Sequence, residues 1–442
     1  MNRWKCVVFA AVVAACVSGT AAYAQSAAPR SYYVRANGDD ENNNGRSEDA
    51  PFKTLAKAVD AAKRGVIKRI TVLGKIEIGS LNIRDAGADE ILVTGKPDAA
   101  EGEKAELTIR DGVRVRNAKV RFTQVNLSKI NVDREGNVTL GAGTLVSSIN
   151  IEEGDNTLTM TDDAVTSGIS TSSSMNRSLG PIQITMSDNA AVTGGTGIAC
   201  SNTTKTTITM SGNARIGNNR GRGISAGGES VITMADNAEI SVNTGSGIYG
   251  SDNVTLTMSG NARIINNTNN SRNSGNGGGI STRFGIITIS DNAQISGNTA
   301  NDSGGGISAG GSTVITISDN AQISGNTAKD SGGGIYSSGK VTINGGEISG
   351  NTAENGGGVF TNGEVSMAGG TITGNKAEYG AGVFVGKGSG SFTLKGGSII
   401  GNEAEFVGGG VYVETGATYT ADGGTVTENT AGDGGSNVFW QQ

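Results

Sequence analysis

From about residue 157 onward the chain repeats itself, and the length of the repeat leaves few folds open. A segment of the form apolar-Thr-apolar recurs with its second apolar residue at Met160, Met186, Met210, Met234, Met258, Ile289, Ile317, Ile343, Met367, Leu394 and Ala421. These eleven copies are spaced by about 26 residues, a period that belongs to solenoids and arrays, in which each copy packs on its neighbours. Two copies are nearly identical: GGGISTRFGIITISDNAQISGNTA at 277–300 and GGGISAGGSTVITISDNAQISGNTA at 304–328.

Each copy holds three short apolar stretches. In the second quoted copy they are Ile307-Ser308-Ala309, Ile315-Thr316-Ile317 and Ala321-Gln322-Ile323, bounded by Gly, Asn and Asp. Stretches of that length between turn residues suit strands and are too short for helices. Three strands per coil, repeated in register, make an all-β, single-stranded parallel β-helix, a solenoid. Because neighbouring strand residues point to opposite faces, Leu158, Ile184, Ile208, Ile232, Leu256, Ile287, Ile315, Val341, Val365 and Phe392 form one inward file. The Met/Ile file runs beside it as core rather than as a cofactor box. Between them lies an outward rank of Thr159, Thr185, Thr209, Thr233, Thr257, Thr288, Thr316, Thr342, Ser366, Thr393 and Thr420.

The turns carry their own files. Asn189, Asn213, Asn237, Asn261, Asn292 and Asn320 give way in the same slot to Gly346, Gly370, Gly397 and Gly424. Asn and Gly both tolerate positive φ, so this slot is expected to be left-handed. A second file, Asn219, Asn243, Asn267, Asn298, Asn326, Asn351, Asn375, Asn402 and Asn429, follows an apolar-x-x spacing. At a coil spacing of ~4.8 Å each amide can donate to the next and accept from the one before. Glycine precedes the third strand at Gly168, Gly197, Gly223, Gly247, Gly279, Gly306, Gly334, Gly358, Gly382 and Gly410.

The GG-x-[IV] motif paired with apolar-x-x-Asn resembles the repeats of chlamydial polymorphic membrane proteins over residues 157–438. That resemblance implies a right-handed β-helix displayed on an outer membrane and acting in adhesion. The chain departs from the pattern by placing Ile or Val where the family has Phe, and no C-terminal autotransporter barrel is expected after Trp440.

The amino-terminal part sets the address. Arg3 and Lys5 precede an apolar run from Cys6 to Val17 that closes on Ala22-Tyr23-Ala24, so residues 1–24 read as a secretory signal peptide. Two maturation sites fit: cleavage after Ala24, or a lipobox Val13-Ala14-Ala15-Cys16 in which Cys16 is lipidated. Either exports the chain to a bacterial surface or outer membrane, the medium or the periplasm. Beyond the signal only Cys200 remains, so no internal disulfide is expected.

Residues 25–69 resemble the entry segment of exported right-handed β-helix proteins, including polysaccharide-degrading ones. Pro51 is expected to start a capping helix over about 51–64, with Phe52, Leu55, Ala56, Val59 and Ala62 on its apolar face and Gly65 ending it. Such a helix would cover the open first coil. Residues 70–150 are expected to form three or four irregular coils before the regular repeats of 151–440.

Charge is divided along the chain. Residues 1–135 carry 22 Lys+Arg against 17 Asp+Glu and the remainder 13 against 24, which argues against a nucleic-acid binder. Arg110, Arg114, Arg116, Lys119 and Arg121 form either a cationic stripe for an anionic surface or the outward face of a half-buried strand, the latter preferred. With no histidine in the chain, His-based triads and His metal sites are excluded.

Two acidic files bear on an enzyme. Asp188, Asp236, Asp291 and Asp319 read as turn residues, since Gly212 and Gly260 replace them. Glu354, Glu378 and Glu405 could hold Ca²⁺ but read as a solvated edge. Tyr379, Phe406 and Tyr412 are candidate sugar platforms, although Phe360, Phe384 and Tyr412 are expected to point inward.

No catalytic, cofactor or metal-binding set is therefore assigned. The expected role is adhesin-like display of loops, such as NTNNSRNSGN at 267–276, toward a host or matrix protein or a surface glycan. Outer-membrane association would come from a lipid anchor or the basic amino-terminal coils. The alternative is a polysaccharide lyase or glycoside hydrolase on a pectate-lyase-like β-helix. Ice binding by the Thr rank is a remote third reading, since only Thr157/Thr159, Thr207/Thr209, Thr255/Thr257 and Thr418/Thr420 supply paired threonines.

Overall fold

In the computed structural model the described residues are 31–442, less 97–105, 153, 173–179, 203–204 and 272–275. They form the expected right-handed parallel β-helix: one continuous sheet of 37 strands, with a single helix. The sheet is continuous because several strands bend round a corner and pair on both sides of it, as Ile248–Met258 does with Ile280–Ile289.

The first side of the coil begins with Ser31–Arg35 and Arg69–Leu73 and runs to Thr418–Ala421. In it Leu158, Ile184, Ile208, Ile232, Leu256 and Ile287 stack in register, with Met160 to Ile289 beside them. All are essentially solvent-free, each worth about 1.5–3 kcal/mol of hydrophobic transfer. Ala421, on the last rung, is exposed. The Thr rank stands outward in the same register. The longest coil, from Met258 to Ile289, absorbs its extra residues without shifting this register.

The second side centres on Ile216, Ile240, Ile264, Ile295, Ile323, Ile348, Ile372 and Ile399. The third runs through Ile224–Ala226 and Ile335–Ser337 to Val438–Trp440. From Thr268 onward a fourth ladder appears, which the three-stretch pattern does not predict. It joins Thr268–Asn269, Thr299–Ala300 and Thr327–Ala328, passes through Thr352, and continues in Lys376–Tyr379, Glu403–Val407 and Thr430–Ala431. Its inward residue is the Ala of Asn-x-Ala, buried at Ala300, Ala328, Ala353, Ala377 and Ala404. On the first rung the same position holds Asn269, also buried.

The Ile-x-x-Asn file forms the expected ladder, and it is buried. From Asn219 to Asn429 each Nδ2 donates to the next Oδ1 at 2.8–3.0 Å. Each Oδ1 also accepts the backbone N–H of the preceding rung, and Nδ2 reaches an apolar residue's carbonyl one coil back, as Asn326 does to Ile295. Asn437 terminates the series by accepting from Asn429 at 3.2 Å. The glycine before the third strand is required by this ladder. A Cβ on Gly334 would lie 2.6 Å from the Gly358 carbonyl and 3.0 Å from Asn351 Nδ2.

Two backbone expectations are corrected. In the earlier copies the left-handed residue is not Asn189 or its counterparts but the residue before it: Asp188, Gly212, Asp236, Gly260, Asp291 and Asp319, all at φ 55–64°. The slot passes to Gly346, Gly370, Gly397 and Gly424 only in the later ones. The Asn residues so released form a second, exposed amide ladder at 3.1–3.3 Å.

The helix is Leu55–Arg64 rather than 51–64. Thr54 caps it by accepting from the Lys57 N–H, and Asp40 fixes that cap through Lys53 N, Thr54 N and Thr54 Oγ1. Phe52 lies before the helix, bridged to Val34 and packed on Tyr32. Ala56 is exposed, and Ala58 takes the place expected of it beside Leu55, Val59 and Ala62. Those four residues join the continuous core, so the helix covers the first coil as expected.

Candidate functional site

The third side carries a file of residues between its two inward positions. In register it reads Ser225, Tyr249, Ser281, Ser308, Tyr336, Phe360, Phe384, Tyr412 and Phe439. Phe360, Phe384 and Tyr412 therefore point outward, a correction to the inward expectation. The inward positions belong to Val359, Val383 and Val411 on one side and Thr361, Val385 and Val413 on the other.

From Tyr336 to Phe439 the rings are stacked, with centroids 5.3, 4.9, 4.6 and 5.4 Å apart and planes within 10–23°. Phe384 and Tyr412 are nonetheless 7% exposed. The glycine turn folds over them: a Cβ on Gly380 would come within 2.9 Å of both their Cβ atoms. Burial, with Glu414 and Tyr379 nearby, raises the Tyr412 phenol above its ordinary range. Tyr379 and Phe406 pack together at 5.1 Å and flank this stack.

The file breaks at Ser281 and Ser308, contributed by the two nearly identical copies. The missing rings leave a cleft of about 440 Å³ between Tyr249 and Tyr336. Three coil steps separate these two rings, about 14 Å at the usual strand spacing. Each wall has one face already covered. The Arg222 guanidinium lies 3.5 Å from the Tyr249 ring centroid, standing in for an aromatic rung at the Ser225 level, and Phe360 stacks on Tyr336. The other two faces bound the cleft.

Polar groups line the rest. Ser251 Oγ donates to Asn202 Oδ1 at 3.0 Å, and Asp252 Oδ2 accepts from Ser251 Oγ at 3.3 Å and from the Gly228 N–H at 3.4 Å. Asn276 Oδ1 accepts the Ser303 N–H. The hydroxyls of Ser281 and Ser308 have no protein partner among the described residues. Asp252 and Arg283 are the charged lining residues. This arrangement can stack flat rings and exchange hydrogen bonds, and it presents one carboxylate rather than a converging acid and base.

The other sequence candidates fall elsewhere. The basic residues sit on the outward faces of two half-buried strands, Glu106–Arg116 and Lys119–Thr123, with Val113, Val115, Val120 and Phe122 inward. Arg110 pairs with Glu77, Arg114 with Glu152, Arg121 with Glu90, and Arg116 with both oxygens of Asp133 at 2.7 Å. Asp236 and Asp291 accept the N–H of Gly212 and Gly260 across one coil step, which makes the Asp file turn chemistry between coils. Glu354, Glu378 and Glu405 lie along one edge, and no group of three or more acidic or Cys side chains placed to hold a metal ion occurs among the described residues.

Asp302 is the carboxyl that sequence reasoning missed. Burial first, and then the neighbouring Asp330, raise it above the ordinary carboxylate range. Burial likewise pushes the Cys200 thiol up to about 12, so it is inert. Cys16 and Ala24 lie outside the described residues, as does part of the 267–276 loop, whose Asn267 is a rung of the buried ladder. No helix among the described residues is long and apolar enough to cross a membrane. The rank beside the threonines is mixed, running Thr157, Gln183, Thr207, Val231, Thr255, Ile286, Val314, Lys340 and Glu364.

No family model matches the chain, and no curated protein matches it. The cleft had one readable signal in the sequence: a slot holding Tyr or Phe at Tyr249 and in the later copies holds Ser in the two consecutive copies between Tyr249 and Tyr336.

Proposed function

We infer that the protein is an exported β-helix rod with a binding and structural role, displayed adhesin-like at a bacterial surface or outer membrane. The carrying observation is the cleft between Tyr249 and Tyr336, whose aromatic walls and amide and hydroxyl lining suit recognition. An acid–base or lyase site on an outer β-helix face wants several carboxylates with a cation among them, whereas Asp252 and Arg283 are the charged groups here. The signal-like amino terminus and the repeats resembling polymorphic membrane proteins support the same reading. Anchoring would come from Cys16 or from the basic coils, and the partner is a host or matrix protein or a surface glycan rather than nucleic acid.

One observation favours the enzyme alternative. Asp302, held above the ordinary carboxylate range by burial and by Asp330, is the carboxyl such an enzyme would draw on as its acid. The test is to incubate the purified chain with neutral and acidic polysaccharides, with and without Ca²⁺, while measuring binding to the same polymers and to matrix proteins. Binding without new reducing ends or unsaturated products is expected. Turnover lost in Asp302→Asn would establish the hydrolase reading instead.

A further inference from the structure

Resting on the reading of the cleft as a binding site, we propose that its ligand is a neutral oligosaccharide whose pyranose rings occupy the two rungs left empty at Ser281 and Ser308. The cleft lies in a file that carries a ring at Tyr249 and an unbroken ring stack from Tyr336 to Phe439. At the level below Tyr249 the gap is closed by Arg222, and from Tyr336 onward by Phe360 and its successors. Between the two tyrosines the levels of Ser281 and Ser308 carry no ring, and both serines, though largely buried, line the cleft with Tyr249 and Tyr336.

The lining selects among ligands that could stack there. A pyranose has apolar C–H faces and a rim of hydroxyls. Its faces match Tyr249 and Tyr336, and its rim can bond with Asn202, Asp252 and the two serine hydroxyls. An aromatic side chain of a protein partner would satisfy the tyrosines but would strip water from those polar groups without replacing their hydrogen bonds, which is costly. One Asp and one Arg in the lining offer no net charge, so the lining as a whole does not favour a uronic or sulfated sugar over a neutral one.

The full chain should be screened against neutral oligosaccharides, acidic oligosaccharides and Tyr- or Phe-rich peptides, and its best neutral ligand titrated by calorimetry. Tyr249→Ala and Tyr336→Ala should each weaken that ligand about tenfold, the usual cost of truncating an aromatic anchor. Ser308→Phe should abolish binding while continuing the ring stack, so its melting temperature should be unchanged or higher. Phe406→Ala, outside the cleft, should bind normally. Binding of acidic sugars or peptides alone, no binding at all, or neutral-glycan binding that survives Ser308→Phe, would overturn the assignment. Cleavage of a neutral glycan that Ser308→Phe suppresses would keep the ligand and cleft but overturn the non-catalytic reading.

Discussion

The coils before residue 150 and those after it cross-link their outward and corner positions with different chemistry. In the earlier coils the links are ionic: Glu77 to Arg110, Glu90 to Arg121, Asp133 to Arg116. In the later coils they are amide ladders, one buried and one exposed. Ion pairs persist there as additions, as where Glu239 sits between Arg215 and Arg263. An ionic run continues only where charge alternates from rung to rung, as it does over Arg215, Glu239 and Arg263. Arg84 and Arg116 are register neighbours of like charge, and Asp133, on the far side, pairs with Arg116. An asparagine donates with one atom and accepts with the other, so its ladder extends indefinitely with the same residue. Regular coils can therefore be copied, and irregular ones cannot.

That contrast is broken most sharply in the middle of the buried ladder. Asn326 accepts from Asn298 N and Nδ2 and donates to Asn351 Oδ1 and the Ile295 carbonyl. Asn326→Ala leaves several buried polar groups unpaired and should lower stability by about 3–4 kcal/mol, read from the denaturant midpoint. A loss below about 1 kcal/mol would mean that water enters and replaces the rung.

The strongest ionic link should cost less. Arg116 meets both oxygens of Asp133, whose side chain is 4% exposed, while Arg116 itself is 29% exposed. Removing the guanidinium strands a buried carboxylate, though solvent reaches the vacated side. Arg116→Ala should therefore destabilise by about 2–3 kcal/mol, while Arg121→Ala, with both partners about two-fifths exposed, should cost at most ~1 kcal/mol and less in high salt. Equal effects in the two variants would remove burial as the cause.

These differences mark what could be read from the chain. The inward files, the outward threonines and the Asn ladder were legible because they are periodic, and the period survives insertions such as that between Asn267 and Asn298. The left-handed turn residue was misplaced by one because Asp and Asn both tolerate positive φ, and Asp-Asn offers two candidates; only the neighbouring coil decides. The fourth ladder was hidden because its first strands are only two residues long. The outward aromatics looked like core because Phe384 and Tyr412 are buried, and it is the Gly380 turn that buries them. Helix Leu55–Arg64 began later than Pro51 suggested, since Phe52 was taken by a bridge to Val34.

The smallest expected effect has the opposite sign and concerns the residue just before each ladder Asn. That position is left-handed throughout: Asn218, Asn266, Gly297, Gly325, Gly350, Gly374, Gly401 and Glu428 all lie at φ 55–65°. Val242 occupies it at φ 55°. A β-branched residue is poorly suited there, because its Cβ crowds the following carbonyl, at a cost of roughly 1–2 kcal/mol. Val242 is 48% exposed, so it recovers little of that by burial. Val242→Asn should raise stability by about 1 kcal/mol without altering the ladder. Gly325→Val supplies the reverse test, because a Cβ there meets nothing within 4 Å and only the backbone objects. It should lose about what Val242→Asn gains. If Gly325→Val is neutral, the turn can leave the left-handed region while the Asn ladder holds, and the ladder rather than the turn fixes the coil.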